Sequence, residues 1–100
     1  YDLFLTPTLG QPPSPLGHFA PAPDAPMATW SKLLEFIPFT PAQNITGEPA
    51  ISLPLYWNAA GLPIGAQLVA PWAREDLLIR IAAQLEQARP WRDRHPPLHA

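Results

Sequence analysis

Sixteen prolines in one hundred residues decide what this chain can fold into. Proline lacks a backbone N–H and holds φ fixed, so helix interiors and central ladder positions exclude it. Average usage is about 5%. Much of the backbone must therefore be irregular, and regular elements must fit between the rings. The longest stretch that cannot be regular runs from Pro7 to Ala28, where seven prolines alternate with Gly10 and Gly17. A loop above roughly 12–15 residues in a compact domain is functional or disordered. Leu9, Leu16, Phe19 and Met27 give this one docking side chains, so the expectation is a pinned surface loop or a pocket wall.

The windows between the prolines carry clear patterns. The most structured is Phe39 to Leu55. Thr40 can cap a helix, Pro41 suits the first helical position, and Gln43 can reach back to complete a capping box. Gly47 supplies a left-handed stop, and Pro49 prevents resumption. A strand follows over 50–56, with Ile51, Leu53 and Leu55 on one face and Ser52, Pro54 and Tyr56 on the other. A second strand over 63–70 places Ile64, Ala66, Leu68 and Ala70 opposite Gly65, Gln67 and Val69. Both of its faces are expected to be covered. Asn58-Ala-Ala-Gly61 has turn chemistry and is too short for a crossover helix, so the two strands are predicted antiparallel neighbours. Pro54 and Pro63 limit the register near them.

Three further elements complete the reading. Residues 2–6 are predicted to form a buried strand closed by Pro7, with partners on both sides. Thr29 is expected to cap a helix to Ile37, with Trp30, Leu33, Leu34 and Ile37 as its apolar stripe and Pro38 as its stop. A helix over 74–89 carries Leu77, Ile81, Leu85 and Ala88, widened by Leu78 and Ala82. Glu75 and Asp76 lie at the positive end of its dipole and Arg89 at the negative end. Ile79 falls outside the stripe and suggests contact on a second side. Trp91 to Ala100 is expected to be an extended, partly frayed tail.

Charge and composition remove several function classes. Net charge is −2, which gives no electrostatic case for nucleic acid or an anionic membrane. There is no cysteine, hence no disulfide and no thiolate chemistry. No apolar run reaches the roughly 20 residues that span a bilayer, no secretory signal is visible, and a cytoplasmic location is expected. The serines are Ser14, Ser31 and Ser52, and the sole lysine is Lys32. Ser31 and Lys32 are adjacent on a helix and diverge by about 100°, a poor nucleophile–base pair. His18, His95 and His99 have no metal-ligand spacing. Asn44-Ile-Thr46 fits the glycosylation triplet. Asn44 is expected to cap or bridge backbone at the helix end, with substrate contact as the other reading. By these residues alone the chain carries no catalytic, cofactor or metal site.

The order of motifs is nevertheless specific. Asp2-Leu-Phe-Leu-Thr-Pro-Thr8, Asn44-Ile-Thr-Gly-Glu-Pro-Ala-Ile-Ser-Leu-Pro54, Gly61-Leu-Pro-Ile-Gly-Ala-Gln-Leu68, Glu75-Asp-Leu-Leu78 and Leu85-Glu86 with Trp91 follow in turn. Together they resemble the C-terminal end of the amidase signature family. The closing run Gln84-Leu-Glu-Gln-Ala-Arg-Pro-Trp91 is similar to bacterial general amidases and to relatives of the 6-aminohexanoate cyclic-dimer hydrolases.

This resemblance implies an α/β fold in which a mixed sheet is covered by helices. Residues 1–100 would be the C-terminal segment of a single larger domain, with a hairpin and a C-terminal helix. It also implies hydrolysis of small-molecule carboxylic amides by a Ser–cis-Ser–Lys triad without a cofactor. The family's triad and its Gly/Ser-rich oxyanion segment lie upstream of any segment matched here, so no catalytic residue carries over. The expected partners are the amide substrate and the missing N-terminal part of the enzyme, with self-association of the isolated piece. Two alternatives stay open: the amidase-type (A) component of a glutamine-dependent tRNA amidotransferase, and a non-catalytic module that uses Pro12-Pro-Ser-Pro15 and Pro23-Asp-Ala-Pro26 as polyproline ligands.

Overall fold

The computed structural model describes residues 1–98. Its centre is an antiparallel sheet of three strands, β1 (Phe4–Pro7), β2 (Ala50–Trp57) and β3 (Pro63–Val69), in the order β1-β3-β2. Three helices accompany it: α1 (Ala28–Phe36), α2 (Pro41–Thr46) and α3 (Glu75–Ala88). The β2–β3 hairpin forms as its turn chemistry predicts. Asn58 Oδ1 accepts hydrogen bonds from the N–H groups of Ala60 (3.0 Å) and Leu62 (2.9 Å), and Gly61 takes φ 76°.

Two backbone hydrogen bonds fix which way each strand faces. Thr8 N–H donates to the Gly65 carbonyl at 3.0 Å, and Ala70 N–H donates to the Pro49 carbonyl at 3.0 Å. Facing residues in an antiparallel pair alternate between bonded and non-bonded positions. Gly65, Gln67 and Val69 therefore turn their backbone groups toward β1, while Ala66, Leu68 and Ala70 turn theirs toward β2. Pro54 lies opposite Gly65 and Pro7 opposite Ala66, so both ring nitrogens point away from β3. Neither proline removes a ladder bond. The register shift falls just beyond Pro54, between it and Tyr56.

The core lies on the sheet face covered by α3. Leu53, Leu68, Ala70 and Leu78 are buried there, with Ile51, Leu55, Ile81, Ala82, Leu85 and Trp91 packed around them. The period-two reading of β2 and the stripe on α3 meet as expected. Both faces of β3 are covered, since Gln67, Leu68 and Val69 are all buried. Leu78, rather than Leu77, is the centre of the α3 stripe; Ala88 and Ile79 are exposed, so Ile79 makes no second contact here.

Several expectations are corrected. β1 begins two residues later than predicted and includes Pro7, because the outward position of that ring lets the strand continue through it. It is an edge strand with β3 on one side only, and Phe4 (62%) and Leu5 (64%) are exposed, so it is not a buried strand. α1 starts one residue before Thr29, which lies inside the first turn; Met27 holds the cap position with no side-chain bond. The α1 stripe is rotated: Leu33, Phe36 and Ile37 are half-buried, whereas Trp30 and Leu34 are exposed. Ile37 leaves helical geometry (φ −116°, ψ 49°), as the following proline demands.

At α2 the caps are half as expected. Thr40 and Pro41 hold the predicted positions, but Thr40 has helical backbone angles (φ −77°, ψ −27°) and makes no side-chain cap bond, while Gln43 bonds Gln67 instead of reaching back. Gly47 closes the helix at φ 74°, its N–H bonded to the Gln43 carbonyl at 2.8 Å. In the long loop Phe19 docks against Phe36 at 5.0 Å between ring centroids, but Leu16 and Met27 are exposed. The described part of the tail is held: Trp91 packs on the core, and Arg94 N–H bonds the Trp91 carbonyl at 3.0 Å.

Candidate functional site

The polar residues of this chain gather on the sheet face opposite α3. Period-two alternation puts Thr6, Ser52, Gly65 and Gln67 on that face, and Thr8 continues the row beyond β1. Thr8 Oγ1 and Ser52 Oγ are 2.6 Å apart, a short hydroxyl–hydroxyl bond across β3. Only glycine fits beneath them. A Cβ at Gly65 would lie 2.6 Å from Thr8 Oγ1 and 2.7 Å from Ser52 Oγ.

Next along the row, the Gln67 amide is 4% exposed and needs partners. Its Nε2 donates to Gln43 Oε1 at 3.2 Å and to Thr6 Oγ1 at 3.4 Å. The bond to Gln43 ties α2 to the sheet. The row can bind and orient polar groups. It holds no activated nucleophile, because Ser52 has another hydroxyl as its partner and not a base.

The remaining candidates are dispersed. Ser31 and Lys32 are exposed on α1, and Ser14 is half-buried in the long loop. His18 meets Phe19 edge-on at 4.8 Å. His95 lines a cavity beside the hairpin tip, and His99 lies outside the described residues. Among the described residues no cluster could hold a metal ion. Asn44 is exposed on α2 and makes no side-chain hydrogen bond, so it neither caps nor bridges the helix end. Gly47 N–H already satisfies the carbonyl there. Thr46 of the same triplet donates to Glu48 Oε2 at 2.9 Å.

One carboxylate is strongly perturbed. Hydrogen bonding from Arg74, aided by Arg80, holds Asp76 at about 2, against an ordinary 3.8. Arg74 Nε and Nη2 lie 2.8 and 3.2 Å from its two oxygens, and Arg80 Nη2 lies 2.7 Å away. The cluster is solvent-exposed at the start of α3, and it orders the entry to that helix.

Among the contacts that sequence reasoning missed are Thr8–Ser52, Gln43–Gln67 and Arg94 over Trp57 at 4.3 Å. The first had a signal in the shared parity of Ser52, Gly65 and Gln67. The others join residues whose separation in sequence hides them.

Fold and polar face together define a sheet-and-helix unit of an α/β protein. The sequence model of the Amidase family matches residues 1–79, and the chain belongs to that family. AmiC of Mycobacterium tuberculosis is 44% identical over 97 residues, which is 97% of this chain and 20% of that protein. A solved structure of 6-aminohexanoate cyclic dimer hydrolase superposes with a TM-score of 0.86 at 40% identity, over 97% of this chain and 21% of that one. One component of the glutamyl-tRNA(Gln) amidotransferase of a Cyanothece species is 51% identical over only 55 residues, 55% of this chain and 11% of that one. The chain thus spans about a fifth of the length of the relatives that it matches across nearly its whole extent. No described helix is long and apolar enough to cross a membrane.

Proposed function

We propose that this chain is the C-terminal scaffold and pocket-wall segment of an amidase. The whole enzyme would hydrolyse linear carboxylic amides in the cytoplasm, without a cofactor, by a Ser–cis-Ser–Lys triad outside these residues. The observation that carries the segment reading is exposure. Thirteen large hydrophobics, among them Phe4, Leu5, Trp30, Leu34, Tyr56 and Trp72, are exposed among the described residues, against five buried apolar ones. A free-standing domain of this size rarely exposes so much apolar surface. The natural cover is the rest of the same enzyme. In that enzyme a serine attacks the amide carbonyl, lysine takes its proton through the bridging serine, and backbone N–H groups hold the oxyanion.

The test compares the whole protein with this chain purified alone, on a panel of aryl and aliphatic amides that includes the 6-aminohexanoate cyclic dimer. Amine or ammonia release is expected from the whole protein and not from the isolated chain. Turnover by the isolated chain that Ser14→Ala, Ser31→Ala or Ser52→Ala abolishes would place a nucleophile inside the scaffold and refute the reading. Glutamine-dependent transfer to charged tRNA, in place of hydrolysis, would favour the amidotransferase reading.

A further inference from the structure

We propose that the cavity between the hairpin tip and the segment after α3 is a binding site for a small amphiphilic monocarboxylate. The cavity has a volume of about 900 Å³, within the span of roughly 300–1,000 Å³ that ligand pockets occupy. Pro54, Trp57, Leu62, Pro63 and Trp91 give it apolar walls. Arg94 supplies its cation.

The arrangement of Arg94 carries the inference. Its guanidinium lies over the Trp57 ring, 4.3 Å from the centroid. A guanidinium anchored over a ring face still carries N–H donors that can grip a carboxylate. Arg94 has no carboxylate partner among the described residues; the ion pairs formed by arginine there are those of Arg74 and Arg80 with Asp76. Stacking on Trp57 also removes much of the side-chain freedom that ligand binding would otherwise have to freeze. Asn58 adds a second donor, because the turn occupies its Oδ1 and leaves its Nδ2 hydrogens available.

Asp93 lines the same cavity and limits the charge that it accepts. A dianion such as a phosphate monoester meets more repulsion from it than a monocarboxylate does. The apolar walls ask for a hydrocarbon body on the ligand. The inference does not depend on the hydrolytic reading.

The test uses the whole protein with hydrocinnamate as the probe, followed by calorimetry and by the ¹⁵N-indole signals of Trp57 and Trp91. Saturable binding that shifts both indoles is expected. Hydrocinnamyl alcohol, with the same body and no charge, should bind at least about tenfold more weakly, as should hydrocinnamate to Arg94→Gln. Arg94→Lys should keep part of the affinity, phenyl phosphate should bind more weakly than hydrocinnamate, and Asp93→Asn should tighten hydrocinnamate about two- to fivefold. Absence of saturable binding, as when the rest of the protein fills the cavity, overturns the proposal. So does equal binding of the alcohol, or hydrocinnamate binding that Arg94→Gln leaves unchanged.

Discussion

Replacing Gly65 by alanine adds one methyl group at the most crowded point of the polar sheet face. The new Cβ would meet Thr8 Oγ1 at 2.6 Å, Ser52 Oγ at 2.7 Å and Thr8 Cβ at 3.0 Å. Gly65 does not have positive φ, so alanine meets no backbone objection there and the cost is contact alone. The two hydroxyls can rotate away, but Thr8 Cβ is fixed by the backbone bond from Thr8 to Gly65. Overpacking costs about 1–3 kcal/mol, and the lost hydroxyl bond about 1 kcal/mol. The reduced freedom of the unfolded chain offsets about 0.4–1 kcal/mol. The net expectation for Gly65→Ala is a loss of about 1–3.5 kcal/mol, read from urea denaturation of the whole protein. Gly65→Ala/Ser52→Ala should cost less than the sum of its single variants, because both remove the same bond and Ser52→Ala clears one contact. A Gly65→Ala variant within about 0.5 kcal/mol of the parent, or strict additivity in the double variant, would refute the crowding argument.

Two further outcomes follow from geometry elsewhere. Gly47→Val forces a β-branched residue to φ 74° and should cost about 1–2 kcal/mol; an unchanged melting temperature would remove the helix-stop account. Asp76 has its folded pKa lowered to about 2, so its contribution to stability is present above the ordinary value of 3.8 and is lost as pH falls toward 2. A carboxyl NMR titration with its midpoint near 2 in the parent, moved up toward 3.8 in Arg74→Gln, is expected; a midpoint near 3.8 in the parent would show that the Arg74–Asp76 contact is not held in solution.

The elements were legible because proline and glycine punctuate them. Pro38, Gly47 and Gly61 end or turn the backbone where their chemistry requires, and the hairpin and α3 follow from alternation and helical period. Burial was less legible. The apolar run at β1 looks internal, yet its partner lies on one side only, and no local pattern reports how many neighbours a strand has. The reach-back half of the α2 capping box failed for a related reason. Gln43 is well spaced to cap Thr40, but a buried amide at Gln67 needs a partner more, and that demand arises from a strand 24 residues away. The polar face was half visible: parity groups Ser52 with Pro54 and Gly65 with Gln67, while the register that brings Thr8 onto Ser52 exists only once β1 has paired with β3.

A chain with this many proline rings can hold a sheet only if each ring inside a strand lands where no ladder bond is needed. Pro54 and Pro7 both do so, and each sits on an outer strand with its nitrogen turned outward. That placement has a second effect. The outer edge of β2 lacks a donor at Pro54 and is disrupted just beyond it by the register shift, and the outer edge of β1 lacks a donor at Pro7. Continuous edges of unpaired N–H and C=O groups recruit stray strands, and proline on an edge is one of the ways proteins prevent it. The rings that leave the internal ladder intact therefore also shorten the length over which either edge can be extended. A partner strand must match a few defined donors, such as the outward N–H of Leu5 on β1 or of Ser52 on β2, and cannot slide along a uniform edge.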